Sequence, residues 1–412
     1  MRILMIYPEP DQDKRPRFGF SYEMLTIATI LHKQHTVTIR DYSCQKIDWT
    51  TFSDDIDRKK YDLILLECDS FALKRSENLI QAKKILSLIQ RRVPVIVYGN
   101  YSYITQKQFD MANYTIIHND INEIIALINQ IDSAHPIPFI DDFNVIPHID
   151  RRLLMSIDYY KENAASTLLQ TAKGCENSCI FCQRKGWQKH YVPHSIEYVL
   201  EELWVLRTQN YHNIWIIDEN FTFDLRRAKQ LLNAIYQEQL MDGFRFFISS
   251  WANIDKDFLD LAKKCNVRII SFGIESGSKD ILRFYRKNIN IDYVPELIRY
   301  ANSIGLFTVG NFILGAPMET DETIDQTFSL IRSCEFDQIN IKILDYMIGS
   351  ELYESLPQLY KIESHVFSCA ESGLTSFPLK EMICRRDAFI KQYYMEHKEI
   401  IAKKIFQYGY PY

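Results

Sequence analysis

The segment GCENSCIFC sets Cys175, Cys179 and Cys182 at the spacing C-x3-C-x2-C. A loop this short can wrap three thiolates around one face of an iron–sulfur cubane and leave one iron without a protein ligand. An open iron of that kind is a place for a small molecule to bind. Structural zinc instead takes four protein ligands in tetrahedral geometry, and no Cys or His stands at the spacing that completes a pair of C-x2-C pairs. A zinc site would draw its fourth ligand, such as His190 or Cys265, from elsewhere, and would suit a non-catalytic adaptor; that alternative stays open. The remaining six of the nine cysteines occur singly, at 44, 68, 265, 334, 369 and 384. An odd number in a long chain argues against a secreted disulfide framework, so reduced thiols in a cytoplasmic protein are expected.

Those thiols need a scaffold, and the hydrophobic pattern supplies one. Residues 1–132 alternate apolar runs (Arg2–Tyr7, Thr36–Arg40, Leu63–Glu67, Val93–Val97, Thr115–His118) with stretches of helical spacing (Tyr22–Lys33, Glu77–Arg91, Ile121–Gln130), the pattern of a doubly wound, Rossmann-like α/β domain. From 133 to 166 the periodicity fades and HPIPFIDDFNVIPHID carries three prolines, as an extended connector does. The alternation resumes over 167–355, with strands expected at Thr167–Ala172, Asn213–Ile217, Arg245–Ser249, Val267–Gly273, Phe307–Leu314 and Gln338–Asp345. Six strand–helix units are fewer than the eight of a closed barrel, so a partial (β/α)6 TIM-type barrel is expected, with its chemistry at the carboxyl ends of the strands. A small helical region, 356–412 with a helix over Leu379–Lys398, completes an α/β chain. The cysteines fall directly after the first barrel strand.

Composition excludes several classes. The 412 residues carry 48 Lys and Arg against 53 Asp and Glu, a formal net charge of -5, so nothing favours non-specific binding to nucleic acid. No apolar run reaches the roughly 18 residues of a membrane span. With 47% hydrophobic and 25% charged residues the chain can bury a sizeable core.

The cysteine motif and the segments that follow each later strand resemble the radical S-adenosylmethionine superfamily. The resemblance implies a [4Fe-4S] cluster on Cys175, Cys179 and Cys182, whose open iron is chelated by the amino and carboxylate groups of S-adenosylmethionine, and reductive cleavage of that cofactor to a 5′-deoxyadenosyl radical. It assigns Phe181 to the adenine, and Asp218 and Glu219 of IWIIDENFT to the methionine amino group. In FISSWANID, Trp251 stands near the place where the family often has an Arg, and a hydroxyl donor is expected from Ser249 or Ser250. Glu275 of FGIESGSKD is assigned to the ribose hydroxyls, and Gly310, Asn311 and Gly315 of GNFILGAPMET to the strand that lies along the adenine. A low-potential flavodoxin or ferredoxin is the electron donor this implies.

An α/β domain ahead of such a barrel, with IGSELYE and FPLKEM after it, is similar to the cobalamin-binding-domain subfamily. The motif D-x-H-x-x-G of cobalamin proteins is absent: Asp41 is followed by Tyr42, Ser43 and Cys44, which excludes a histidine ligand from that motif. The segments VYGNYSYI and HNDINEI stand where glycine-rich turns usually approach the corrin, and Tyr42, Tyr101 and Tyr103, expected near the domain interface, would line either a corrin or nothing. The expected activity is cobalamin-dependent methylation of an unactivated carbon in a small-molecule or peptide-derived biosynthetic intermediate. Radical dehydration, epimerisation or rearrangement without cobalamin is the alternative.

Overall fold

The computed structural model describes residues 1–8, 20–44, 47–68, 77–89, 93–99, 114–115, 120–162, 165–183, 190–347, 349–361, 367–368 and 374–408. They form two compact units that divide at Leu168/Leu169. No described helix is long and apolar enough to cross a membrane.

In the first unit, strands β1 (Arg2–Tyr7), β2 (Thr36–Asp41), β3 (Leu63–Glu67), β4 (Val95–Tyr98) and β5 (Tyr114–Thr115) pair in parallel in the order β2-β1-β3-β4-β5. Because a parallel sheet is covered on both faces, its strands read as continuous apolar runs, and LILLE of β3 is buried throughout. The expected helices appear as α1 (Tyr22–His32), α3 (Glu77–Ile89) and α4 (Ile121–Ile131), and a helix not anticipated, α2 (Phe52–Lys59), buries Phe52 and Ile56. Among its described side chains only Phe52 and Ile56 are buried, too few for the pattern to announce it.

The proline-rich segment lies along α4. Asn122 accepts from Ile140 N at 2.8 Å and donates to its carbonyl at 2.9 Å, and Asn129 does the same with Ile137 at 2.7 and 2.9 Å. Two helical turns rise about 10.5 Å and three extended residues span about 10 Å, so the two amides meet their partners in register. Arg151 then clasps the chain ahead of the barrel, donating to Thr167 Oγ1 at 2.7 Å and Leu168 O at 2.7 Å.

The second unit is built on a six-stranded sheet ordered β13-β12-β11-β10-β9-β6, namely β6 (Ser166–Leu169), β9 (Asn213–Ile216), β10 (Arg245–Trp251), β11 (Val267–Glu275), β12 (Phe307–Leu314) and β13 (Gln338–Ile343), with β9 to β13 pairing in parallel. A short antiparallel pair, β7 (Ala172–Lys173) with β8 (Val192–Pro193), follows β6. Alternation sorts the two faces: Ile214, Phe246, Ile270, Phe312 and Ile339 pack outward against the helices, while Phe247, Ile269, Phe307 and Val309 form a separate inward cluster with Trp215 and Ile405. The helices after the strands start at side-chain caps, Ser195 on Tyr198 N, Asp224 on Arg227 N, Asp255 on Phe258 N and Thr320 on Thr323 N, each contributing about 1 kcal/mol.

An open barrel leaves β13 as an edge, and the carboxyl-terminal helix, Leu379–Tyr408, covers it. Tyr394 Oη accepts from Ile339 N at 3.0 Å, and Tyr393 donates to Phe336 O at 2.6 Å. Near its end Lys404 reaches Asp337 at 2.6 Å and Asn302 at 2.9 Å. Burial raises the Asp337 carboxyl and lowers the Lys404 ammonium from their ordinary values, so each depends on the other. Lys404→Met therefore strands a buried carboxylate and should cost about 3–5 kcal/mol, read as a lower urea midpoint. Lys279→Met breaks the exposed pair with Asp292 and should shift stability by less than about 0.5 kcal/mol.

Candidate functional site

The cysteine loop starts where Asp218 breaks a strand. The expected strand Thr167–Ala172 stops at Leu169 because the buried Asp218 carboxylate, just past β9, accepts from Thr171 N at 2.6 Å, Thr171 Oγ1 at 2.5 Å and Ala172 N at 3.1 Å. Arg227 secures the same turn, donating to Thr171 O at 2.9 Å and His194 O at 2.8 Å. Glu219 then accepts from Gly174 N at 2.8 Å, at the residue before Cys175. Gly174 has φ +87°, which reverses the chain into the loop. Beyond it, Cys182 N donates to Cys179 O at 3.2 Å, Ile180 N to Tyr285 O at 3.3 Å and Leu352 N to Ile180 O at 2.9 Å, so backbone bonds hold the loop from several sides.

Cys179 is buried and Cys175 and Cys182 half-buried. Burial pushes the Cys179 thiol up to about 12, opposed by the Lys287 cation. Among the described residues no three Cys, His, Asp or Glu side chains converge on one point as a single ion requires. Tetrahedral zinc with 2.3 Å Zn–S bonds holds its sulfurs roughly 3.8 Å apart, whereas a cubane takes thiolates at separate corners. Cys265, a candidate fourth zinc ligand, precedes β11 at the opposite end of the barrel and donates to Leu232 O at 3.0 Å. Three thiols on one loop with an ammonium behind them fit an iron–sulfur cluster as donor set.

At the end of β11, Glu275 lies within a β-bulge at φ +72°, a left-handed conformation that costs a non-glycine residue about 1 kcal/mol or more. Its Oε1 accepts from Lys287 Nζ at 3.0 Å, and that ammonium lies 3.8 Å from the centroid of the Trp251 ring. Gly273 makes room: a Cβ there would approach Glu275 Oε1 at 2.8 Å and Lys287 Nζ at 3.1 Å. Lys287 was not among the expected residues. It follows a helix whose last cap, Arg286, adopts φ +54°, and nothing in the run RKN tells which basic residue turns inward. The position where the family often has an Arg is thus met by a Trp that carries a Lys from the next strand's loop.

Other expected residues divide. Asn311 faces inward, donating to Ser271 Oγ at 2.8 Å and Phe272 O at 3.0 Å. Phe181 packs edge-on against Tyr285, ring centroids 5.0 Å apart. Gly315 has φ +99°, donates to Glu319 Oε2 at 3.0 Å, and leaves 3.2 Å between a would-be Cβ and Met382 Sδ, so packing of the last helix already requires it. Asp218 is committed to Thr171 and Ala172, a positioning task. Ser250 needs correction: it is buried on the helix-side parity of β10 and bonds Thr222 Oγ1 at 2.6 Å, while Ser249 is the inward, exposed hydroxyl. Strand alternation separates two adjacent serines that sequence could not.

In the first unit, Ser43 N and Oγ donate to Asp41 Oδ1 at 2.8 and 2.5 Å, and Tyr160 Oη donates to Asp41 Oδ2 at 2.5 Å, closing the turn that replaces D-x-H-x-x-G. Tyr42 is buried against Phe52. Tyr101, Tyr103 and most of VYGNYSYI lie outside the described residues, as do His118 and Asn119.

A parallel partial barrel that brings a three-thiol loop and a buried Glu–Lys pair to the carboxyl ends of its strands defines an enzyme of the (β/α)6-barrel class. Residues 169–331 match the model of the Radical SAM superfamily, so this part of the chain is a radical SAM domain. It is 24% identical over 387 residues to an uncharacterized methyltransferase of Pyrococcus horikoshii, covering 86% of this chain and 83% of that one. Cytidylyl-2-hydroxyethylphosphonate methyltransferase of Streptomyces wedmorensis is 28% identical over 195 residues, 45% of this chain and 36% of that protein. Two solved structures share the fold: the radical S-adenosylmethionine methyltransferase TsrM of Kitasatospora setae with cobalamin and a [4Fe-4S] cluster bound (TM-score 0.72, 15% identity, 85% of this chain and 73% of that one), and the cobalamin-dependent radical enzyme OxsB with aqua-cobalamin bound (TM-score 0.72, 14% identity, 91% and 64%).

Burial raises Asp218 from 3.8 to about 6. The folded chain therefore holds a proton that the unfolded chain releases, and this contribution to stability is whole below pH 3.8 and lost as pH rises through about 6. Asp218→Asn should abolish that part of the slope, measured as the difference in urea midpoint between the variant and the unmodified protein across this range.

Proposed function

We propose that the barrel generates a 5′-deoxyadenosyl radical from S-adenosylmethionine at a [4Fe-4S] cluster held by Cys175, Cys179 and Cys182, and that the enzyme methylates an unactivated carbon of a small-molecule or peptide-derived substrate with the help of cobalamin. The observation that carries this reading is the convergence of the thiol loop with the Glu275–Lys287–Trp251 group at one end of one sheet. When bound to the chain, the cluster, S-adenosylmethionine and cobalamin would supply an electron, a radical precursor and a transferable methyl group.

The chain's own tasks follow from its geometry. Asp218, Arg227 and Glu219 fix the path of the cysteine loop before any cluster binds. Lys287 offers the cation that a methionine carboxylate needs, and Trp251 holds its ammonium in place. Glu275, oriented by Lys287, accepts from ribose hydroxyls with Asn311 on the neighbouring strand, and Phe181 flanks the adenine. Glu219 places negative charge where the methionine amino group would bind.

For cobalamin the support is the sheet order β2-β1-β3-β4-β5, which opens a ligand crevice where the order reverses between β1 and β3, together with the cobalamin bound in TsrM and OxsB. Asp41, engaged by Ser43 and Tyr160, offers no imidazole, so the corrin would be held without a histidine from this turn. A flavodoxin or ferredoxin is the matching electron donor.

Anaerobic reconstitution should give about four iron per chain, and Cys179→Ala should lose both the iron and 5′-deoxyadenosine formation under reducing conditions. A Cys179→Ala protein that still cleaves S-adenosylmethionine reductively refutes the reading. Lys287→Met should raise the KM for S-adenosylmethionine about 10- to 100-fold, with Lys287→Arg recovering part of the loss. Hydroxocobalamin should leave a corrin absorption band after desalting, and its disappearance would refute the cobalamin part alone.

A further inference from the structure

Cys175 and Cys179 meet different neighbours. The Lys287 cation acts on Cys179, where it opposes the effect of burial on the thiol. Cys175 receives a neutral donor instead: Asn177 Nδ2 donates to Cys175 Sγ at 3.2 Å, a close approach because sulfur is larger than the oxygen acceptors that ordinarily set this distance. Both residues are half-buried.

An asparagine in a short loop ordinarily serves the backbone, its Oδ1 accepting from an N–H two residues on. Asn177 makes no such bond. Among the described residues the bond to sulfur is the one hydrogen bond its side chain makes. The path of the loop is held by its neighbours: Glu219 accepts from Gly174 N at 2.8 Å, and Glu176 Oε1 accepts from Tyr191 N at 3.2 Å. The amide of Asn177 is thus spent on a cluster ligand rather than on the fold of the loop.

A neutral thiol is a weak acceptor and a thiolate a stronger one, since hydrogen bonds to ionised groups are roughly twice as strong as those between neutral groups. A [4Fe-4S] cluster on the three thiolates gains one negative charge when it accepts one electron, and the sulfur ligands carry part of that charge. An N–H dipole aimed at one of those sulfurs therefore favours the reduced form, and hydrogen bonds to the sulfurs are among the influences that set the potential of such clusters.

We propose that Asn177 tunes the cluster: its Nδ2–H···Sγ bond to Cys175 raises the reduction potential, so that a weaker donor can load the electron that cleavage of S-adenosylmethionine consumes. The electron comes from the low-potential flavodoxin or ferredoxin, no proton moves, and no covalent bond of the chain forms or breaks. This rests on reading the cysteine loop as the radical site, and it adds a positioning residue to that site.

The potential itself is the measurement. The full-length unmodified, Asn177→Leu and Asn177→Ala proteins, each reconstituted anaerobically, are poised with dithionite while electron paramagnetic resonance follows the reduced cluster, with iron content and thermal midpoints confirming cluster and fold. At the same solution potential each variant should hold about three- to tenfold less reduced relative to oxidised cluster, tenfold being about 59 mV for one electron. An unchanged or raised ratio overturns the proposal, and so does loss of iron from both variants, which would make Asn177 part of the loop's scaffold; should one variant alone lose its iron, the other decides. Failure of the radical reading looks different: the unmodified protein forms no 5′-deoxyadenosine although the ratio shifts as expected, and if it takes up no cluster at all, both readings fall together.

Discussion

A single buried carboxylate governs how this barrel presents its thiols. Asp218 takes two backbone N–H groups and a hydroxyl from Thr171 and Ala172, and by doing so stops the first barrel strand and turns the chain toward Cys175. Burying a carboxylate is costly unless its oxygens are satisfied, and three donors with Arg227 on the adjacent carbonyls satisfy them. Glu219, the next residue, grips Gly174, so one acidic dipeptide just past β9 sets both the start and the heading of the cysteine loop. Three thiols on a free loop would occupy many arrangements; on an anchored one, ordering has been largely completed before metal arrives.

The two ends of the barrel use the same chemistry for opposite purposes. At the amino-terminal end, Lys404 and Asp337 form a buried pair that ties the last helix across the open edge, and both partners are also satisfied by neighbouring side chains. At the carboxyl end, Lys287 and Glu275 form a pair on a strained backbone position, beside a glycine that must lack a side chain and over an aromatic ring. Strain of that kind persists only where the surroundings enforce it, and here it aims a cation and an anion at the same space. The first pair closes the fold, and the second lies at the strand ends near Cys179.

Much of this was legible in the linear pattern. The apolar runs located nearly every strand of both sheets to within a residue or two, because parallel strands buried on both faces must be continuously hydrophobic. Glu275 and Asn311 were named from the resemblance of their segments to the family; alternation places Asn311 inward, whereas Glu275 follows a register shift that alternation does not announce. Other residues were not. Helix α2 is short and mostly polar, the choice between Ser249 and Ser250 depends on strand parity at one position, and Lys287 is brought inward by a left-handed cap at Arg286.

From residue order alone came the three-thiol motif, the strand–helix rhythm and hence the class of enzyme, because metal-ligand spacing and hydrophobic period are local properties of the chain. Tertiary structure alone decided which polar groups face one another: that Asp218 serves the backbone, that Lys287 lies over the Trp251 ring and bonds Glu275, and that Asn340, Asn311 and Ser271 join in one chain of hydrogen bonds. Those are contacts between residues tens of positions apart, and only packing and register bring them together.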